Sequence, residues 1–579
     1  MKRKKRIAAL LLSWILLFLT SNISLFADQS TIAREDKTIL SKPLQEMLQQ
    51  NNSEEKITVS VWFADVDTSD VKSLAMRVSG FLSRTPELNL SDVKTAVDVH
   101  SFIQTSRNIA KQIYQKQNAE FIQKYLTNAD IIYVSRYAPE VIIRANKAEI
   151  EQLSKIKSVE SVDYIAEDLM ISSTQASDTQ TMISNAVVNV PAVHNSSAYG
   201  YTGIGVNIGI YDVGLPSDSV MSSLNTMAYL GNSSVAHAES TTKTLASVAP
   251  NANYYFIGNT GSPNMREDIE WLLDQNVDII NISMSLGDGS RNQYGNTARY
   301  MDHVAYIHYV SVVIAAGNDE LNGGSTGISE GNMGYNILTV GSINDKSTLT
   351  LSDDEVEFFS RYYNGDTLCS KPDIGAPGRD GTSEASPRAA GILALLCEAQ
   401  PNLLILPEVQ KSIVTATTNK DSHLRYVPSQ RAVNATLANS SYMQIGAGLI
   451  DAYAAVECTV NEDYYNAMLN PTVLSKSSSL PVSAAGKKVR VSLAFLQPIT
   501  LTNPSDHTQS EATAGDFIDL DLEIYAPDGV TQIAVSNTTF NNVEIVEFTA
   551  PTAGTYTIRV SRLTTSSKQT WYGVAWMIW

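Results

Sequence analysis

The sequence predicts an α/β protein built around a doubly wound parallel sheet, with a small α+β domain before it and an all-β sandwich after it. Three observations carry this. Between about Ala186 and Cys458, near-continuously apolar runs alternate with helical segments, the pattern of parallel strands covered by helices on both faces. Before that region, short β-branched runs flank one long polar helix. After about Asn461 helical signals vanish and alternating apolar runs are separated by turn residues, as in sandwiches of jelly-roll type.

Composition sets the outer bounds. A chain of 579 residues with 43% hydrophobic and 18% charged residues packs into globular domains, about three to four at the usual domain size. Acidic residues outnumber basic ones 60 to 42, for a net charge of −18. That excludes a nucleic-acid binder, which needs basic surface against phosphates. Cys369, Cys397 and Cys458 are too few for a disulfide scaffold or a four-thiolate zinc site. They leave one disulfide or three buried thiols as the alternatives.

The chain opens with MKRKKR, then IAALLLSWILLFL, then TSNISLFADQ. Basic, apolar and polar stretches in that order read as a secretory signal peptide over residues 1–27, with an uncleaved anchor as the alternative. No later run reaches about 18 uninterrupted apolar residues, so no membrane span is expected once the signal is removed. Residues of about 56–168 then read as the small α+β domain. Its strands are Ile57–Phe63, Ile131–Ser135, Val141–Ala145 and Val159–Tyr164. Its long helix spans about Thr95–Leu126, with Ile103, Ile109, Ile113, Phe121 and Tyr125 as apolar positions, and a short helix carries Ile150 and Leu153.

In the middle region the strand-like runs are Val206–Tyr211, Tyr254–Gly258, Val277–Met284, Ser311–Ala316 and Ile337–Ile343. Helical segments cover Asp268–Gln275 and Arg299–His308. Ligands of such sheets bind beyond the carboxyl ends of the strands. Three motifs fall there. In Ile208-Gly209-Ile210-Tyr211-Asp212-Val213-Gly214 an acid ends an apolar strand. In SVVIAAGN (311–318) a buried strand runs into small residues and Asn318. Small residues let a backbone approach, and the Asn318 amide can donate to a developing oxyanion. In Gly381-Thr382-Ser383-Glu384-Ala385-Ser386-Pro387 a serine stands where a loop enters a helix, beside free N–H groups and positive potential. In the C-terminal region the runs are Val489–Phe495, Leu520–Tyr525, Val543–Phe548 and Thr555–Ser561, with a turn at Pro527-Asp528-Gly529. Asp516, Asp519, Asp521 and Asp528 are close in sequence there. They are either solvated strand edges or a structural calcium site, since hard cations favour such oxygens.

These residues resemble the subtilisin-like (S8) serine protease family. The match rests on Asp212, Ser383 in Gly-Thr-Ser and Asn318 in Ala-Ala-Gly-Asn. Val248-Ala249-Pro250-Asn251-Ala252, Ser285-Leu286-Gly287, Lys371-Pro372-Asp373-Ile374, Ala376-Pro377-Gly378 and Gly446-Ala447-Gly448-Leu449-Ile450-Asp451-Ala452 support it in the family's order. The resemblance implies a triad running Asp, His, Ser along the chain. His237, His303 and His308 lie in the required interval. His237 is favoured because it precedes a helical run into Val248-Ala249-Pro250, whereas the other two fall in a helical run of their own. It also implies an oxyanion role for Asn318 and substrate binding by Ser285, Leu286, Gly287, Ala315 and Gly317. The implied organisation is a signal peptide over 1–27, an inhibitory propeptide over 28–180, a catalytic domain over 181–458 and a β-sandwich over 459–579. Residues 140–168 resemble the C-terminal half of the family's propeptide. The implied product is a secreted or cell-surface endopeptidase acting on peptide or protein substrates, with its own propeptide as intramolecular inhibitor and no cofactor required for chemistry.

The sequence also departs from the family. Ala238 and Glu239 follow His237 where Gly-Thr is usual, and Val213 stands where Thr or Ser is commoner. Glu384 replaces a common methionine and Arg388 a common histidine. Their i,i+4 spacing lets them pair on a helix, the arginine either neutralising a carboxylate beside the oxyanion site or forming a solvated helix pair of no catalytic consequence. A processing protease with one narrow substrate, and a catalytically dead binding or adhesion protein, stay open as alternatives.

Overall fold

The computed structural model describes residues 39–50, 54–64, 96–165, 178–231, 233–258, 265–286, 294–318, 327–362, 369–426, 431–432, 444–498, 517–539, 541–563 and 568–579. The signal-peptide segment, Asp516 and Gly287 lie outside them. The chain divides into two compact units, Met1–Tyr164 and Ile165–Trp579. Among the described residues no helix is long and apolar enough to cross a membrane.

The first unit is an antiparallel sheet backed by helices. Its strands are β1 (Ile57–Phe63), β2 (Asp130–Val134), β3 (Glu140–Ala145) and β4 (Val159–Tyr164), in the order β2-β3-β1-β4. Helix α1 (Lys42–Gln50) precedes the sheet, α2 (Ala96–Tyr125) follows β1, and α3 (Lys147–Leu153) joins β3 to β4. Val59, Val61 and Phe63 alternate inward on β1 to meet Phe121 of α2, Val141 and Val162. Phe63 stacks on Phe121 with ring centroids 4.1 Å apart. The unit begins before residue 56: Leu44 and Leu48 of α1 are buried in the same core. That helix carries few strong sequence signals beyond its two leucines.

The second unit holds the doubly wound sheet. Strands β5 (Asn207–Asp212), β6 (Thr226–Leu230), β7 (Asn253–Gly258), β8 (Ile279–Ile282), β9 (Ser311–Ala315) and β10 (Leu338–Asn344) run parallel in the order β6-β7-β5-β8-β9-β10. The short β11 (Glu355–Val356) pairs antiparallel to β10, and β12 (Ile374–Pro377) pairs parallel to it. The chain winds outward from β5 to β6, returns to β7, then crosses to β8 on the other side of β5. That reversal makes a crevice at the carboxyl ends of β5 and β8. Helix α4 (Ala236–Val248) and helix α5 (Thr382–Ala399) pack together against the sheet, and α6 (Pro407–Ala416) follows. The runs Asp268–Gln275 and Arg299–His308 correspond to helices over Met265–Asp274 and Asn296–His308.

The sandwich layers a five-stranded sheet on a four-stranded one. Its core includes Leu469, Val489, Val491, Leu493, Leu522, Ile558 and Tyr572. Two of its strands, β13 (Lys488–Phe495) and β14 (Thr570–Ile578), explain how the sandwich joins the doubly wound part. The alternation VRVSLAF predicts one solvated face, yet every residue after Lys488 is buried. The second face packs on α6: Thr415 Oγ1 and Ser492 Oγ lie 2.7 Å apart. At Gly573 of β14 a Cβ would come within 2.6 Å of Val409 Cα, so only glycine allows that approach. Arg490, on the same face of β13, is fully buried.

Candidate active site

The site forms at the carboxyl ends of β5 and β9 and the start of α5. Asp212 closes β5 and is fully buried. Two backbone bonds sew the loop after it to the segment leading into α4: Leu215 N donates to Ser233 O at 2.7 Å, and Val235 N donates to Leu215 O at 2.9 Å. His237, the second residue of α4, is thereby carried to Asp212, and its Nδ1 lies 2.6 Å from Asp212 Oδ1. The other carboxylate oxygen accepts from Thr241 Oγ1 at 2.7 Å, and Val213 N donates back to Oδ1 at 2.7 Å. With Nδ1 turned to the carboxylate, His237 Nε2 is buried and has no hydrogen-bond partner among the described residues. Burial lowers the basicity of the imidazole, but the bond and charge of Asp212 and the charge of Glu384 outweigh it, leaving the pKa above the ordinary 6.5. His303 and His308, the other histidines in the interval, both sit on the helix Asn296–His308.

Ser383 is the second residue of α5 and is 6% exposed. Asn318 follows β9. Its Oδ1 accepts from Thr382 N at 3.0 Å and from Thr382 Oγ1 at 2.9 Å, which sets the amide nitrogen on the opposite side. A Cβ built on Gly381 would meet Ser383 Oγ at 2.9 Å and Asn318 Nδ2 at 3.1 Å. The two atoms therefore flank one point, and glycine is the residue that leaves it open. Thr382 Oγ1 also accepts from Gly317 N at 3.1 Å, and Gly317 has φ +96°, a conformation that favours glycine.

The expected substrate segment is held by a residue the sequence did not flag. Asn332 Oδ1 accepts from Leu286 N at 2.9 Å, while its Nδ2 donates to Met284 O at 3.1 Å and to Ala315 O at 2.7 Å. One side chain thus ties the segment before Gly287 to the end of β9. A Cβ at Gly317 would lie 3.2 Å from Ser285 Oγ and 3.1 Å from Arg361 Cδ, so Ser285 and Gly317 are neighbours, and Asn332 ties Ala315 to the same segment. Asn332, Thr241 and Arg361 had no sequence signal, because their roles come from tertiary contact.

One expectation is corrected. Arg388 makes no ion pair with the Glu384 carboxylate. Its Nε donates to Asn185 Oδ1 at 3.0 Å and its Nη1 to Pro377 O, with a longer contact at 3.4 Å to the main-chain oxygen of Glu384. The i,i+4 rule describes a solvated helix face, whereas Arg388 is 2% exposed and buried acceptors claim it. The cysteines take the thiol alternative: Cys369, Cys397 and Cys458 are all free and buried. In the sandwich, the Asp528 carboxylate closes its own turn, accepting from Val530 N at 2.9 Å and Thr531 N at 2.8 Å. Among the described residues no group of three His, Cys, Asp or Glu side chains is arranged to hold a metal ion.

A parallel sheet that delivers an Asp–His pair and a helix-start serine to the same crevice belongs to the serine-protease class of α/β proteins. Relatives make that specific. Residues 226–436 match the family described as the subtilase family, and residues 479–562 match the bacterial pre-peptidase C-terminal domain. Subtilisin DY of Bacillus licheniformis is 30% identical over 254 residues, covering 39% of this chain and 88% of that one. The chain is a member of the subtilase family. The minor extracellular protease Epr of Bacillus subtilis is 24% identical over 343 residues, 54% of this chain, and the match spans about half of that relative, 52%. The epidermin leader peptide processing serine protease of Staphylococcus aureus is a structural neighbour with 14% identity and a TM-score of 0.40, covering 70% of this chain and 99% of that one. The subtilase match begins at residue 226, so Asp212 is placed by its geometry rather than by that match.

Proposed function

We propose that this chain is a secreted serine endopeptidase made as a zymogen. The carrying observation is the buried His237, bound at Nδ1 by Asp212 and unpartnered at Nε2. In this reading His237 takes the proton from Ser383 Oγ as that oxygen attacks the scissile carbonyl carbon. Asp212 fixes the tautomer and stabilises the imidazolium. The developing oxyanion is received by Asn318 Nδ2 and the Ser383 N–H. The proton then passes from His237 to the leaving amine, and a water activated in the same way releases the acyl group. The peptide lies extended along Ser285 and Leu286, next to Ala315 and Gly317, pairing by strand addition.

The basic and apolar leader and the extracellular relatives support export. The likeness of residues 140–168 to a family propeptide supports synthesis as a zymogen, with residues 28–180 inhibiting in cis until removed. The test is expression of the wild type beside Ser383→Ala. Wild type should shed its N-terminal unit while Ser383→Ala keeps it. Equal processing of the two would remove the zymogen reading. A peptide library then separates broad cleavage from a single narrow substrate.

A further inference from the structure

Glu384, directly after the proposed nucleophile, takes part in no step described above. It is 4% exposed, and Ser240 Oγ donates to its Oε1 at 3.3 Å. Ser240 stands one helical turn beyond His237 on α4, and residues three apart share a helix face, so the bond to Ser240 brings a second carboxylate to the side of α4 that carries the imidazole. Burying a carboxylate beside an oxyanion site is costly; Arg388, one turn on, gives its hydrogen bonds to Pro377, Asn185 and a main-chain oxygen, while its charge still attracts that of Glu384.

We propose that Glu384 is a positioning residue that clamps α4 to α5 through Ser240 and adds a second negative charge beside the imidazolium of His237. The inference rests on the endopeptidase reading and deepens it: the imidazolium that forms during acyl transfer is stabilised by Asp212 from one side and by Glu384 from the other. The charged groups around His237 are Asp212 at the end of β5, Glu384 and Arg388 on α5, and Glu239 and Lys243 on α4 itself. The last two pair with each other at 2.9 Å on the exposed face, so their charges offset. The balance of these groups agrees with the raised basicity of His237, to which the Glu384 charge contributes after the bond and charge of Asp212.

The experiment titrates the His237 imidazole by NMR in the full chain carrying Ser383→Ala, with the resonance assigned by His237→Gln. It compares this background with added Glu384→Gln and added Glu384→Asp. The expected result is a downward shift of the His237 midpoint with Gln and a smaller change with Asp, which keeps the charge. Glu384→Met, neutral and of similar length, is the second neutral variant, and should shift the midpoint the same way. A midpoint unmoved by a folded neutral variant overturns the proposal. The titration needs no turnover, so it reads out separately from the endopeptidase reading, which fails if Ser383 takes no fluorophosphonate label. In the active chain, Glu384→Gln should also move the acid limb of kcat/KM to lower pH, a change that a purely structural role would not produce.

Discussion

Arg490 offers the sharpest test of how the sandwich and the catalytic part are joined. It belongs to the sandwich, yet its guanidinium serves the other part: Nε donates to Thr415 O at 3.2 Å, Nη1 to Tyr426 O at 2.6 Å and Nη2 to Ala447 O at 2.9 Å. Nη1 also lies 3.4 Å from Glu547 Oε2, a carboxylate shared with Arg425. Arg490→Met keeps much of the volume and removes every donor. Three buried carbonyls lose a charged partner, and Glu547 loses one of its two cations. Each charged hydrogen bond is worth about 1.5–3 kcal/mol, and unpairing a buried ion costs about 3–5 kcal/mol. These terms overlap, and the methionine recovers packing, so the net loss should be about 3–5 kcal/mol. Urea unfolding in a Ser383→Ala background prevents self-digestion, and Trp571, Trp576 and Trp579 report on the sandwich. With a slope of about 3 kcal/mol/M the midpoint should fall by about 1–2 M. A loss below about 1 kcal/mol would refute the view that Arg490 fastens the two parts together.

Three further outcomes follow from the site. Asn318→Leu should lower kcat by about 10²–10³ with KM little changed, because the amide acts on charge that develops only in the transition state; an equal effect on KM alone would contradict this. The proposed mechanism needs neutral His237, so kcat/KM should fall as pH drops through a midpoint above the ordinary 6.5. The sign for stability is opposite: a raised folded-state pKa contributes stability that is present below the unfolded value and lost as pH rises through the folded one. The three thiols should resist iodoacetamide in the native chain and react after unfolding, since burial pushes Cys369 up to about 11 and raises Cys397 and Cys458 as well.

Much of the site was legible because its chemistry needs particular residues at element ends. An aspartate ending an apolar strand, a serine at a helix start and an asparagine after small residues are each local signals, and the order implied by the family resemblance left His237, His303 and His308, of which His237 was favoured by the helical run that follows it. What was hidden depends on contacts distant in sequence. Asn332 holds the 284–286 segment from another loop, and Thr241 meets Asp212 only once α4 is docked. Helix α6 gave no periodic signal because every residue from Pro407 to Ala416 is buried, including Glu408, Gln410 and Lys411. The face of β13 that carries Arg490 and Ser492 looked solvated for the same reason: the sequence does not show that a helix covers it. The Glu384–Arg388 spacing misled because the buried guanidinium is turned to the oxygens of Pro377 and Asn185, which lie within hydrogen-bond reach, rather than to the carboxylate one turn away.

The central claim is that Ser383 is a nucleophile activated by His237. Its most direct measurement is intact-mass and peptide mapping of the purified chain after reaction with a fluorophosphonate. The account predicts one adduct, on Ser383, lost in Ser383→Ala and strongly reduced in His237→Ala. A wild-type chain that carries no adduct, or carries it on another residue, would contradict it.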